Sequence, residues 1–281
     1  MRVSSVTASP GVRRPLHTLD VAEGSRLLVP GDVHFPVHDE RVLGVMIESA
    51  RVLGVTDVLL PGDTFDYWGL SGYRKDAARY WEEGRLTEEA EAGRPWLEAL
   101  RELVAPGRAI IGPGNHEDRW YDLVDDNPAL HGLEWWHPVA DVLSGWERLP
   151  RGWRVRAGAL TIEHGDQLVG SLAKHSASTV LGNYPGQNTL YGHTHRVDSC
   201  TRPTEKNGEL VAHGAWTVGH TSDPRKNGGF IPGGHRWEQG WAVVDIFPLG
   251  RDLGFNVNQA RVLRDGRGRP VVNLLGRTWR G

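Results

Sequence analysis

Gly112-Pro113-Gly114-Asn115-His116-Glu117 sets an amide oxygen beside an imidazole at the point where an apolar run stops. The run before it, Arg108-Ala109-Ile110-Ile111, reads as a short buried strand, and the residues after His116 read as the start of a helix. The Asn-His pair therefore lies on a strand-to-helix turn, where open α/β sheets gather their active sites. Alone, it is equally a turn whose asparagine supplies an unusual backbone conformation. The rest of the chain decides between these readings by repeating the arrangement.

Upstream, Arg26-Leu27-Leu28-Val29 runs into Pro30-Gly31-Asp32-Val33-His34, and Asp57-Val58-Leu59-Leu60 runs into Pro61-Gly62-Asp63-Thr64-Phe65-Asp66. Between them Asp39 is an expected helix N-cap, Val42, Val45, Met46, Ser49, Ala50 and Leu53 follow at helical spacing, and Gly54 is a stop. Strand, helix and strand with a right-handed crossover give a parallel pair, so both strands deliver an Asp to the same edge. An excursion from Tyr67 to Pro106 follows, with Tyr67, Trp68, Tyr73, Tyr80 and Trp81 near its start and a helix expected from about Glu88 to Val104. Its aromatics are expected to pack it onto the body, the other reading being a substrate-facing cap or an oligomer contact.

Downstream, Trp135-Trp136 is expected to serve as core and cover. Arg154-Val155-Arg156 and Leu160-Thr161-Ile162 form a hairpin across Ala157-Gly158-Ala159, ending in Glu163-His164-Gly165-Asp166. A helix from about Leu172 to Leu181 precedes Thr189-Leu190-Tyr191 and Gly192-His193-Thr194-His195. From there the period is close to two, through Glu209 to His213, Trp216 to Val218, Trp241 to Ile246 and a hairpin at Asp265 to Arg269, which predicts a second, largely antiparallel sheet. The Gly-rich loop Thr221 to Gln239 is long enough to suggest function or mobility.

A net charge of -3 leaves no whole-protein footprint for nucleic acid or an anionic membrane, although a local basic patch remains open. The single cysteine, Cys200, excludes an intrachain disulfide and a thiolate metal cluster and fits a reducing cytoplasm. Arg13-Arg14 is followed by no apolar signal core, and no window approaches the roughly 18 apolar residues of a membrane span. A cytoplasmic protein with no membrane partner is expected. Residues 1–24 read as a tail or edge extension, and 25–281 as a single domain with a helical insertion at about 67–106.

Five strand ends thus carry metal-binding side chains: Asp32 with His34, Asp63, Asn115, His164, and His193 with His195. In an extended segment, residues two apart point the same way, so Asp32-x-His34 and His193-x-His195 are each expected to reach one ion. Oxygen and nitrogen ligands without sulfur suit Mn, Fe or Zn.

These blocks, Asp32-x-His34, Gly62-Asp63-x-x-Asp66, Gly114-Asn115-His116-Glu117, His164-Gly165 and Gly192-His193-Thr194-His195, resemble the five signature blocks of the calcineurin-like metallophosphoesterase superfamily. The resemblance implies an α/β fold, a four-layer αββα sandwich of two mixed sheets with a dimetal site at the C-terminal strand ends. It implies that Asp32, His34, Asp63 and His195 hold one metal, and that Asp63 bridges to a second completed by Asn115, His164 and His193. Two such ions, about 3.5 to 4 Å apart, would share a hydroxide as nucleophile. His116 is then the general acid for the leaving group, and Asp66 either orients it, as the resemblance implies, or caps its loop.

Arg119, one helical turn away, is either a substrate-binding contact to phosphate or a surface charge in a first turn with Glu117 and Asp118. His213, His220 and His235 are set aside as structural histidines. Asp66 is followed by Tyr67-Trp68 where phosphoprotein phosphatases of this superfamily carry Arg-Gly, which argues against phosphoprotein substrates. The Gly-Asn-His-Glu-Asp-Arg and His-Thr-His-Arg blocks resemble uncharacterised phage and bacterial metallophosphatases.

The expected activity is hydrolysis of a phosphoester, most simply by a phosphatase acting on a phosphorylated small molecule or nucleotide, with two divalent metal ions as cofactors, Mn first and Fe or Zn as the alternatives. A nuclease or other phosphodiesterase is the alternative, for which the aromatic excursion and Arg261, Arg264, Arg267, Arg269, Arg277 and Arg280 would supply stacking and phosphate contacts to nucleic acid. A metal-bearing scaffold without turnover is the third reading.

Overall fold

Leu27, Leu28, Val29, Val58, Leu59 and Leu60 are all buried, as parallel strands covered on both faces require. Their side chains alternate: Leu28, Val58 and Leu60 enter a core shared with helices, while Leu27, Val29 and Leu59 enter a second core between two sheets. This division fixes the layers. The structure is a computed structural model that describes residues 16–19, 22–71, 85–168, 177–206, 209–227 and 237–281.

In chain order the first half contains β1 (Leu16–Thr18), β2 (Arg26–Pro30), α1 (Glu40–Leu53), β3 (Asp57–Leu60), α2 (Leu86–Val104), β4 (Ala109–Ile111), α3 (Arg119–Asp125) and β5 (Glu147–Arg148). Next come β6 (Arg154–Ala157), β7 (Leu160–Glu163), α4 (Ala177–Asn183), β8 (Thr189–Tyr191), β9 (Asp198–Lys206), β10 (Glu209–Thr217) and α5 (Pro224–Asn227). The chain closes with β11 (Gly240–Leu249), β12 (Asp252–Arg261), β13 (Leu263–Arg264), β14 (Pro270–Leu274) and β15 (Arg277–Arg280).

One six-stranded sheet has the order β12-β11-β2-β3-β4-β5 and the other β1-β6-β7-β8-β10-β9, while β13, β14 and β15 form a small third sheet. Helices α1 and α2 cover the first sheet, and α4 covers the second with Val180 and Leu181 against Tyr191 and Ala215. The result is the expected layering of helices, two mixed sheets and a helix.

Two expectations change. The run Trp241 to Ile246 does not join a second antiparallel sheet; within β11 it pairs antiparallel with β2 in the first. Its alternate residues Ala242, Val244 and Ile246 enter the inter-sheet core while Trp241 and Val243 face the helices, so it is apolar on both faces and needs an interior position. The second sheet is mixed, with β1 beside β6, β7 beside β8 and β8 beside β10 in parallel, and with β6-β7 and β9-β10 antiparallel. The expected helix from Leu172 is described from Ala177 onward, residues 172–176 lying outside the described residues.

Asp39 caps α1 as expected, accepting from the backbone N–H of Arg41 and Val42 at 3.1 and 3.2 Å, and Gly54 ends the helix in the left-handed region. The other Asp39 oxygen accepts from Arg264 at 2.8 Å and Gln239 at 3.1 Å, which ties the C-terminal strands to the first helix. Burial opposes ionisation of Asp39, but these donors outweigh it and hold its carboxyl below the usual 3.8. A depressed folded pKa adds stability that is present above the unfolded value and lost as pH falls through the folded one. Asp39→Ala should therefore lower stability at neutral pH by about 1 to 2 kcal/mol. In urea unfolding, its deficit against the parent should shrink as pH falls below about 4.

Candidate metal centre

Strands β2, β3 and β4 are parallel neighbours, as are β7 and β8, so the turns that leave them emerge together along one edge of each sheet. Asp32, His34, Asp63 and His195 present ligand atoms that lie within 4.8 Å of one another, and so do Asp63, His164 and His193. Asp63 belongs to both groups. Asn115 joins the second, its Oδ1 lying 3.1 Å from His164 Nε2. His34, Asp66 and His116 form a third group next to the first.

The backbone reaches this arrangement by a route that strand alternation does not describe. His34, Asp63, His193 and His195 have φ of 55°, 49°, 63° and 54°, in the left-handed region that side-chain-bearing residues avoid. His34 still faces the same group as Asp32, but His193 and His195 part, one to each cluster. The expectation that His193 and His195 reach one ion fails because neither is extended. Such conformations persist only where surrounding contacts over-determine them.

Those contacts are found. Glu117, expected as a first-turn surface charge, has no exposed surface. Its carboxylate accepts from the N–H of Asp63, Thr64, Phe65 and Gly114 at 2.8 to 3.0 Å, binding the turn after β3 to the turn after β4. A Cβ on Gly114 would overlap the Asp63 backbone nitrogen and carboxylate, so only glycine allows the two turns to touch. Trp153, fully packed, donates from Nε1 to the Pro113 carbonyl at 3.0 Å. Asp32 accepts from the His193 N–H at 3.0 Å and thereby joins the two sheets at the site.

His116 Nδ1 faces the Asp66 carboxylate at 2.7 Å and the Asp66 carbonyl at 2.9 Å. Both partners are acceptors, so Nδ1 carries its proton and Nε2 is the atom that exchanges one. Nε2 lies 3.9 Å from Asp63 Oδ2. Arg119 donates to the Asp66 carbonyl at 2.7 Å, so part of its guanidinium supports this loop.

The protonation preferences of the cluster conflict. Burial pushes Asp32 up to about 6. Burial would lower His34 and His164, but Asp66 and the other acids raise His34 to about 9, and Asp63 raises His164 to about 10. Burial and neighbouring imidazolium drive His193 down to about 3 and His195 well below its ordinary value. Burial would raise Asp63, but His116 and His164 hold it well below the usual carboxylate range. His116 is lowered by burial against the pull of Asp63. Anionic Asp with neutral His is the ligand state of a metal site, and divalent cations would take the place of the protons on His34 and His164. The nitrogen and oxygen donor set fits them. His34 Nε2 and His195 Nε2 converge at 3.1 Å, with Asp32 Oδ2 3.0 Å from the latter.

Sequence reasoning set aside a histidine that the structure brings to this edge. His220 is fully buried with its ring 5.3 Å from that of His195, and its Nδ1 lies 2.6 Å from Ser222 Oγ. Trp237 stands edge-on to His195 at 4.0 Å. Both ends of the Gly-rich loop therefore border the site, and no periodicity in that loop announced it. His235 lies outside the described residues, and His213 lies on β10.

Tyr67 and Trp68 are buried and pack the excursion onto the body, whereas Tyr73, Tyr80 and Trp81 lie outside the described residues. Trp135 is fully buried, and Trp136 covers it partly, under the guanidinium of Arg148. Of the C-terminal arginines, Arg264 is bound to Asp39, Arg269 to Asp265, and Arg261 to the Val197 carbonyl. Among the described residues no helix is long and apolar enough to cross a membrane.

No family model and no curated protein sequence matches the chain. Among solved structures it is similar to a single mutant of Vps29 from Entamoeba histolytica, at 14% identity and a TM-score of 0.43 over 91% of this chain and 99% of that one. It is also similar to vacuolar protein sorting 29 from Cryptosporidium parvum, at 14% identity and a TM-score of 0.42, covering 92% of this chain and 100% of that one. A third is YfcE, a phosphoesterase from E. coli, at 14% identity and a TM-score of 0.34, covering 82% of this chain and 98% of that one. Likeness at this level says nothing of activity.

Glu117→Gln replaces one of two accepting oxygens by a donor that faces backbone N–H groups. Leaving buried donors unpaired costs about 1 to 3 kcal/mol each. The variant should unfold at lower urea and, at a denaturant-free temperature where it remains folded, bind Mn more weakly by calorimetry.

Proposed function

We propose that this chain is a dimetal-dependent phosphoester hydrolase of the calcineurin-like kind, a phosphatase before a phosphodiesterase. The observation that supports it most is the sharing of Asp63 between two ligand clusters, with His116 Nε2 held 3.9 Å from the same carboxylate. Asp32, His34, Asp63 and His195 would hold one divalent cation, and Asp63, Asn115, His164 and His193 the other. Such cations, Mn first and Fe or Zn as the other choices, supply Lewis acidity and lower the pKa of water at neutral pH.

The chain's own residues do the rest. Asp66 fixes the His116 tautomer, so that Nε2 delivers a proton to the departing alkoxide oxygen. Arg119 spends Nη1 on the Asp66 carbonyl and keeps its other N–H groups for a phosphate oxygen. Asp32, Asp63 and Asp66 are buried to 7% exposure or less, which keeps bulk water from competing with the substrate's oxygens. Small phosphorylated metabolites or nucleotides fit this reading better than nucleic acid, because three of the C-terminal arginines invoked for a strand are engaged within the chain. A cytoplasmic setting suits the lone cysteine.

With Mn, the protein should hydrolyse p-nitrophenyl phosphate faster than bis-p-nitrophenyl phosphate. Asp63→Asn should abolish both activities, and His116→Ala should slow an alkyl phosphate by about 10²-fold to 10⁴-fold. A faster diester reaction would make the chain a phosphodiesterase. Hydrolysis of neither ester by metal-loaded protein, or an Asp63→Asn variant as active as its parent, would overturn the assignment.

A further inference from the structure

Every backbone N–H from Asp63 to Trp68 has a named acceptor, and five of the six go to two buried carboxylates. Glu117 takes Asp63, Thr64 and Phe65, the Phe35 carbonyl takes Asp66, and Glu89 takes Tyr67 and Trp68 at 2.7 and 3.0 Å. Glu89 comes from α2, more than twenty positions along the chain, and has no exposed surface. From the structure we infer that Glu89 is a positioning residue for the general acid: it fixes the segment that follows Asp66 so that Asp66 meets His116. This deepens the hydrolase reading and rests on it.

The segment needs such an anchor. Tyr67 adopts φ 48°, a left-handed conformation that costs a residue with a side chain on the order of 1 to 2 kcal/mol. It is fully buried and held at its far end by its hydroxyl, which donates to the Trp135 carbonyl at 2.7 Å. Glu89 holds the near end, and its two oxygens match two successive N–H groups, as no single carbonyl does. One residue earlier, Asp66 faces His116 and His34 from the same carboxylate oxygen, at 2.7 and 3.5 Å. A shift of the Tyr67 nitrogen therefore moves both the carboxylate and the carbonyl that hold His116.

Helix α2 is shaped for this docking. Gly93, one turn beyond Glu89, lies so close to the Phe35 ring that an added Cβ would stand 2.9 Å from it. Phe35 in turn pairs with Phe65 in a backbone bridge, next to His34 and Asp66. The Glu89 and Gly93 face of α2 thus meets the two turns that carry the His34 and Asp66 side chains. A buried carboxylate is costly unless fully hydrogen-bonded, and a helix needing only to be packed would carry an apolar residue there.

The test compares phosphate monoesters of rising leaving-group pKa, from p-nitrophenyl through phenyl to alkyl, in the parent, Glu89→Gln, His116→Ala and the double variant, all with Mn. A misplaced acid harms poor leaving groups and spares p-nitrophenolate, which departs without a proton. Glu89→Gln should lose about tenfold or more in kcat on phenyl and alkyl phosphates and little on p-nitrophenyl phosphate, with KM and bound Mn unchanged. The double variant should be no slower than His116→Ala. Should Glu89→Gln not fold, Glu89→Asp moves the same carboxylate by one methylene and should show the same graded loss. Equal loss across all leaving groups, or loss that follows metal content, would overturn the positioning role. If His116→Ala itself shows no dependence on the leaving group, the acid assignment fails instead.

Discussion

The Asp63 carboxylate is the point on which the rest of this structure depends. Both ligand clusters include it, His116 approaches it, and the His116 backbone N–H donates to it at 2.9 Å. A carboxylate with 2% exposure is tolerable only if neighbouring cations, imidazolium or metal, repay its desolvation. The sheets exist in this form to bring those neighbours in. Three parallel strands of the first sheet deliver Asp32, Asp63 and Asn115, and two of the second deliver His164 and the His193 to His195 turn. Neither sheet alone completes either of the two clusters that share Asp63.

Geometry at such a point has to be enforced, because the ligand-bearing turns are conformationally unfavourable. Four of the positions that could hold a metal are left-handed without being glycine. The enforcement is electrostatic in kind: buried acids accept from runs of successive N–H groups, as Glu117 does for Asp63 to Phe65. Backbone dipoles that would otherwise point at solvent or at one another are thereby paired inside the protein. The buried acids serve two distinct ends. Asp32 and Asp63 present oxygens to the site while each also accepts one backbone N–H, whereas Glu117 and Glu89 turn both of theirs toward the backbone that carries it.

This distinction explains what could be read from the sequence. Apolar runs ending in Gly-Asp, Gly-Asn-His and Gly-His announced strand ends, and their parallel crossovers announced a shared edge; residue type and order suffice for both. Glu117 and Glu89 were invisible because a buried glutamate and a solvated one look alike in a helical segment, and only the amides they face tell them apart. The separation of His193 from His195 was hidden for a related reason. Their spacing of two implies a common face only if the backbone is extended, and Gly192, whose added Cβ would overlap the Asp32 carboxylate, brings that turn too close to Asp32 to remain so. The placement of β11 failed on another ground. Alternation identifies a strand but not its sheet, and a strand apolar on both faces fits either interior.

The pattern also explains how the long segment between β3 and β4 can leave from beside the buried cluster without loosening it. A long connecting segment normally adds mobility where it leaves and rejoins the body. Here it leaves directly after Asp66, and its helix returns a carboxylate to the first two amides of the departing segment. The exit is thus closed by the segment's own helix. The same contact ties Asp66 to α2, because the left-handed Tyr67 that follows Asp66 donates its N–H to the acceptor that α2 supplies. Packing of Gly93 on Phe35 carries that tie to the His34 turn as well. The helix outside the first sheet and the edge that carries the His and Asp cluster are therefore one mechanical unit, joined through the two Glu89 hydrogen bonds, the Trp96 Nε1 bond to His38 and the Phe35 ring.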